Sequence, residues 1–190
     1  MGSPAVIKPI TVFLFLNGIH NDFFDDFFYI ITKTVTWIPL YVILILLFVF
    51  SKKNKRLLKT LVFLLGVALL VAATDMVSAR FFKPFFARLR PCQEPALDGL
   101  VHIVRGHCGG LYGFISSHAA NLFGIATYSH IMLKDKYRYT WLLFLWAALI
   151  GYSRIYLGVH YPGDVICGAL VGAAFGYILG KTAHKTCSRL

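Results

Sequence analysis

Charge-free apolar runs recur along this chain at positions 34–50, 60–74, 139–153 and 165–180, and a fifth, 114–133, is broken only by His118 and His130. A helix needs about 20 residues to cross the hydrocarbon, with a range of about 17–25. Two of the runs have only 15 residues, so flanking positions such as 76–79 and 155–157 must complete them. Five such runs in 190 residues cannot all be the core of one small body. The pattern predicts an all-α integral membrane helical bundle with about five transmembrane helices.

Ahead of these runs the pattern changes. The apolar stretch 10–16 is too short to span, and Asn17-Gly18 reads as a turn. In "DFFDDFFYII" the rings of Phe23, Phe24, Phe27 and Phe28 fall at helical spacing, with Asp22, Asp25 and Asp26 on the other side. That predicts a helix lying in the membrane interface. Residues 1–33 are therefore read as an N-terminal interfacial helical segment and 34–190 as the membrane core.

Composition strengthens the membrane reading. Hydrophobic residues make up 58% of the chain, and only 14% are charged, against roughly 25% in soluble domains. The start lacks a basic region followed by a small-residue cleavage site, so no secretory signal is expected. Val6 stands where the myristoylation pattern wants Ser or Thr.

A formal charge of +11 raises the possibility of nucleic acid, but the cations sit in the connectors and no RNA- or DNA-binding motif accompanies them. Lys52, Lys53, Lys55, Arg56 and Lys59 follow the first run, Lys134, Lys136 and Arg138 the third, and Lys181, Lys185 and Arg189 the fifth. These are 11 of the 19 basic residues, all on the side that alternation makes common, and the positive-inside rule makes that side the cytoplasm. Residues 81–113 and 154–164 then face outward, which predicts an inner (cytoplasmic) membrane protein with its site on the periplasmic or outer side.

Three outward stretches carry the chemistry: "KPFFARLRP" (83–91), "ISSHAAN" (115–121) and "SRIYLGVHYPGD" (153–164). They gather Lys83, Arg90, Arg154, Ser116, His118, His160 and Asp164 at one membrane depth. Lys and Arg offset the charge of phosphoryl oxygens, Arg bidentately. Ser116 stands where the third span begins and suits an N-cap, with free N–H groups behind it for an anion. Asp164 could hold the Nδ1–H of His160, leaving Nε2 as a nucleophile. His118 is placed to protonate a leaving oxygen.

Lys83 with six residues before Arg90-Pro91, a Ser-x-His motif at Ser116–His118, and Ser153-Arg154 with five residues before His160 and three more before Asp164 resemble the type 2 phosphatidic acid phosphatase family. The same signature occurs in soluble vanadium haloperoxidases. The resemblance covers residues from about 55 to 180. It implies metal-independent hydrolysis of lipid phosphates through a phosphohistidine on His160, with His118 and Asp164 catalytic and Lys83, Arg90, Ser116, Ser117 and Arg154 around the phosphate. The second motif departs from Pro-Ser-Gly-His, since Ile115 replaces Pro and Ser117 replaces Gly.

The expected partners are a membrane lipid phosphate and the bilayer, with no cofactor, no metal, no nucleic acid and no protein partner implied. Small bacterial members act on undecaprenyl diphosphate, phosphatidylglycerophosphate or lipid A phosphates, and the isoprenyl diphosphate is favoured. A lipid phosphotransferase and a non-enzymatic lipid or anion transporter are the alternatives. The transporter gives no reason for a His–Asp pair beside a second His.

Other residues receive plainer readings. Arg80, Arg88 and Arg105 are expected to snorkel at span ends or meet headgroups. Asp75 is expected to pair structurally with a nearby cation. "DFFDD" could be read as a magnesium cluster, but its interleaved rings favour the interfacial helix. Cys92, His102, His107 and Cys108 fit no standard zinc spacing. A Cys92–Cys108 disulfide in the outer connector is favoured, enclosing 15 residues and stabilising the loop by about 3 kcal/mol. Cys167, Cys187, His130 and His184 are given no role.

Overall fold

The computed structural model describes residues 4–51, 56–106 and 108–190. Lys52, Lys53 and Lys55 of the first basic connector, and His107 of the zinc-type set, lie outside the described residues. Helices are the regular structure of the described residues, with no strand beyond one isolated bridge.

Helix α1 (Pro4–Asn17) is longer than the apolar stretch within it suggested. Its 14 residues extend about 21 Å, short of the hydrocarbon thickness of about 30 Å. Asn17 closes it and is buried, its Nδ2 donating to the carbonyls of Tyr156 at 2.8 Å and His102 at 3.0 Å. Phe13, also buried, meets Tyr161 edge-on with ring centres 5.3 Å apart.

Helix α2 (Asp22–Ile31) begins on Asn21, whose side chain accepts from the Phe24 N–H at 2.9 Å. Asp22 and Asp25 in its first turn favour the positive end of the helix dipole. Phe28 and Ile31 are buried against Tyr156, Leu157 and Val159, while Phe23 and Phe24 stay exposed. The three aspartates differ in exposure, Asp22 and Asp26 being exposed and Asp25 partly buried. Asp25 turns inward to accept from the Tyr156 hydroxyl at 2.6 Å and meet His102 Nε2 at 2.9 Å, and Asp26 pairs with Arg105.

Among the described residues three segments are long and apolar enough to cross a membrane: Thr34–Ser51, Arg56–Phe86 and Pro162–Arg189. The first is a short 3₁₀ turn followed by α3 (Ile38–Ser51). The second runs from α4 (Arg56–Met76) through a π-helical stretch, Val77–Phe82, into the single turn α5 (Lys83–Phe86). The third is α8 (Pro162–Arg189). Between them in sequence lie α6 (Ser117–Leu133) and α7 (Leu142–Tyr156), of 17 and 15 residues.

Among the described residues the most extensive contact is α6 against α8. It depends on small residues, since a Cβ at Gly172 would overlap the Ala120 carbonyl and one at Gly176 the Gly124 carbonyl. A Cβ at Gly66 of α4 would likewise collide with the Tyr128 hydroxyl, which donates to the Phe63 carbonyl at 3.2 Å. This packing brings the start of α6, the end of α7 and the start of α8 to the same end of the bundle as Lys83.

Candidate active site

Ser116 has extended backbone and caps α6, its Oγ accepting from Ala119 N at 3.4 Å. Its own N–H donates to the Asp164 carbonyl at 3.0 Å, tying the α6 start to the first turn of α8. Ser117 follows as the first helical residue. Its Oγ accepts from Lys83 Nζ at 3.1 Å and lies 2.7 Å from Ser78 Oγ. Ser78 is fully buried inside the π-helical stretch, a kind of distortion common at functional sites.

Ala87, left-handed at φ 44°, ends α5 and turns the chain into an extended stretch. Leu89 bridges Tyr112, with Arg90 N donating to Leu111 O at 3.1 Å and Gly113 N to Arg88 O at 2.9 Å. Side chains alternate along extended backbone, so Arg88 and Arg90 project to the same side. Arg90 is buried, and its Nη1 lies 3.1 Å from His160 Nε2 and 3.2 Å from the Val159 carbonyl. Arg88 pairs with the buried carboxylate of Asp164. It is therefore part of the site and not a snorkelling cation.

His160 occupies the connector between α7 and α8. A guanidinium only donates, so its approach to Nε2 requires the lone pair there and places the proton on Nδ1. That nitrogen faces Asp164 Oδ2 at 3.4 Å, close enough for electrostatic support but longer than a hydrogen bond. The same Oδ2 accepts from Tyr161 N at 2.9 Å, so Asp164 also closes the first turn of α8. Burial first, and then Arg90, Arg154, Lys83 and His118, hold the His160 imidazole well below its ordinary value of 6.5. The ring is neutral at physiological pH.

Arg154, buried near the end of α7, donates through Nη1 to Thr32 Oγ1 at 2.7 Å. His118, in the first turn of α6, borders two cavities. One, of about 390 Å³, is apolar and runs between α3, α4 and α6 past Leu44, Phe63 and Ile125. The other, of about 280 Å³, is bordered by Arg154 and by Tyr29, Thr32 and Lys33.

The structure thus gathers Lys83, Arg90, Ser116, Ser117, Arg154, His118, His160 and Asp164 at one end of the bundle. Arg88, Thr32 and Ser78 join them without having been expected. Arg105 is tied to Asp26 at 2.6 Å, and Arg80 is exposed. Asp75 makes no ion pair among the described residues, although its charge acts on Lys83 through space. Its Oδ1 accepts from Asn121 Nδ2 at 3.0 Å, which links α4 to α6. Cys92 and Cys108 are joined by a disulfide with Cα atoms 5.9 Å apart, and His102 is held by Asp25, so these three of the zinc-type residues have other partners.

Residues 59–186 match the model of the PAP2 superfamily. The chain belongs to that superfamily. It is 42% identical over 172 residues to a lipid A 4'-phosphatase of Porphyromonas gingivalis, covering 90% of this chain and 71% of that protein. A lipid A 4'-phosphatase of Bacteroides thetaiotaomicron is 39% identical over 181 residues, covering 93% and 77% of the two chains. Among solved structures, the crystal structure of LpxE from Aquifex aeolicus superposes with a TM-score of 0.63 at 29% identity, covering 90% of this chain and 94% of that one.

Proposed function

We propose that this chain, in five spans, removes a phosphate from a lipid A-type glycolipid at the extracytoplasmic face and without a metal. The coarser statement needs no proposal, since family membership and the two relatives near 40% identity make it a phosphatase of membrane lipids. The relatives' names move the preference from the isoprenyl diphosphate to a lipid A phosphate.

The observation that carries the reading is the Arg90–His160 contact at 3.1 Å. It presents an unprotonated Nε2 in a cluster of fixed cations. When a phosphoryl group arrives, Arg90, Arg154 and Lys83 turn to its oxygens and Nε2 is uncovered. Nε2 forms a bond to phosphorus while the P–O bond to the lipid breaks, and His118 gives its proton to the departing oxygen. Water then attacks the phosphohistidine, returning a proton to His118 and releasing inorganic phosphate.

The orientation reading is supported by the basic connectors, and α6 and α7 would complete the five spans with their flanking turns. Purified protein should release phosphate from lipid A-type substrates in the presence of EDTA. Loss of turnover that added magnesium or zinc restores would refute the metal-free reading. For sidedness, cysteines at Lys136 and at the exposed Leu100, in a background without the native cysteines, should label from opposite faces of intact cells. Labelling of position 136 by an impermeant outside reagent would reverse the orientation.

A further inference from the structure

The two cavities that meet at the site differ in chemistry, and both border His118 and Thr34. In the proposed reaction, on which this inference rests, His118 protonates the departing oxygen. Whatever lies beyond His118 is therefore leaving group. A leaving group with hydrocarbon alone would need only the apolar cavity. Here a second space of about 280 Å³ opens from the same histidine toward the end of α2.

That space has its own cation. Lys33 borders it, and its Nζ sits 4.2 Å from the centre of the Tyr29 ring. Arg105 covers the same ring at 4.3 Å, but its charge is met by Asp26 at 2.6 Å. Among the described residues no carboxylate lies within ion-pair distance of Lys33. Thr32, the neighbouring residue, is fixed by its bond to Arg154 at 2.7 Å. A cation without an acidic partner thus borders a cavity that also reaches Arg154 of the phosphate cluster.

We infer that Tyr29, Thr32 and Lys33 form a subsite for a second phosphate carried by the leaving group. Its source could be the proximal phosphate of a lipid diphosphate or a distal phosphate on a phosphorylated sugar headgroup. The hydrocarbon of either would continue into the apolar cavity. The N-terminal segment would then select among lipid phosphates while the bundle performs the chemistry.

The test uses full-length protein in detergent and non-hydrolysable ligands sharing one hydrocarbon. These are a lipid monophosphonate, a methylene-bridged lipid bisphosphonate, and a saccharide lipid with one phosphonate and a distal phosphate. Wild type should bind one or both of the doubly anionic ligands about tenfold more tightly than the monophosphonate. Lys33→Gln should remove that preference without weakening monophosphonate binding, and Lys33→Arg should restore it. Whichever doubly anionic ligand responds identifies the source of the second phosphate. No preference in wild type, or a preference that survives Lys33→Gln, overturns the subsite. Binding that behaves as expected in a protein that hydrolyses no lipid phosphate would leave the subsite standing and sink the proposed function.

Discussion

Ser117 Oγ holds Lys83 Nζ at 3.1 Å and is itself 2.7 Å from Ser78 Oγ, so one hydroxyl couples the start of α6 to the π-helical end of α4. Glycine at this position, as in the usual motif, could not do this. The long lysine stem is here fixed by a partner that costs no charge. Ser117→Gly should free Lys83, raising KM by about tenfold while kcat changes less, because the ammonium can still reach a bound phosphate. Ser117→Thr should restore KM if the hydroxyl is what matters. Equal KM values for wild type and Ser117→Gly would show that Lys83 is positioned by other contacts.

The depressed His160 value makes a prediction about pH. The proposed nucleophile must be unprotonated, and burial with the surrounding cations favours the neutral ring. Its acid limb in kcat/KM should therefore lie below 6.5, once the substrate's own ionisation, measured by phosphorus NMR, has been divided out. Removing a neighbouring cation stabilises the imidazolium, so Arg90→Gln should shift the limb to higher pH as well as lower the plateau. A limb that stays in place would mean that His160 does not feel Arg90.

Gly172 couples packing to chemistry. A methyl there would meet the Ala120 backbone, which has no rotamer to yield, and overpacking of this kind costs about 1–3 kcal/mol. Since α6 carries His118 and α8 carries Asp164, separating them disturbs the site as well as the bundle. Gly172→Ala should lower both the melting temperature in detergent and kcat. An unchanged melting temperature would mean that the two helices tolerate a wider spacing.

Much of the site was legible because its motifs lie at helix ends whose order follows from alternating spans. Lys83, Arg90, Ser116, His118, Arg154, His160 and Asp164 could be gathered by topology alone. Arg88 could not. Its direction depends on the pairing of Leu89 with Tyr112, a contact between distant positions that hydropathy does not report. The alternation in Arg88-Leu89-Arg90 was the available signal. Thr32 reaches Arg154 across 122 positions, and no local pattern announces such a bond. The bond from Asn121 to Asp75 was hidden for a related reason, since Asn121 lies one turn beyond Ser117 on a helix read only for its histidine. The aspartates of α2 were placed by helical spacing opposite the rings, and no local pattern announced that the Tyr156 hydroxyl and His102 would draw Asp25 inward.

The last prediction separates the two histidines. His160→Ala removes the nitrogen proposed to bond to phosphorus, and it should abolish turnover for every substrate. The role proposed for His118 depends on what leaves. General acid help is worth about 10²–10⁴-fold, and a lipid alkoxide needs most of it. A nitrophenolate departs almost unaided. His118→Ala should therefore slow the phosphorylation step, read from first-turnover release of alcohol or nitrophenolate, far more on the lipid phosphate than on nitrophenyl phosphate, while His160→Ala removes that step for both. Each variant must first be shown to fold, by its melting temperature in detergent. Trapping of acid-labile phosphate on the protein should then succeed with His118→Ala and an aryl substrate, since attack of water on the phosphohistidine also lacks its base. The same trapping should fail with His160→Ala. If His160→Ala retains aryl phosphatase activity and His118→Ala loses it entirely, the nucleophile and the acid are reversed.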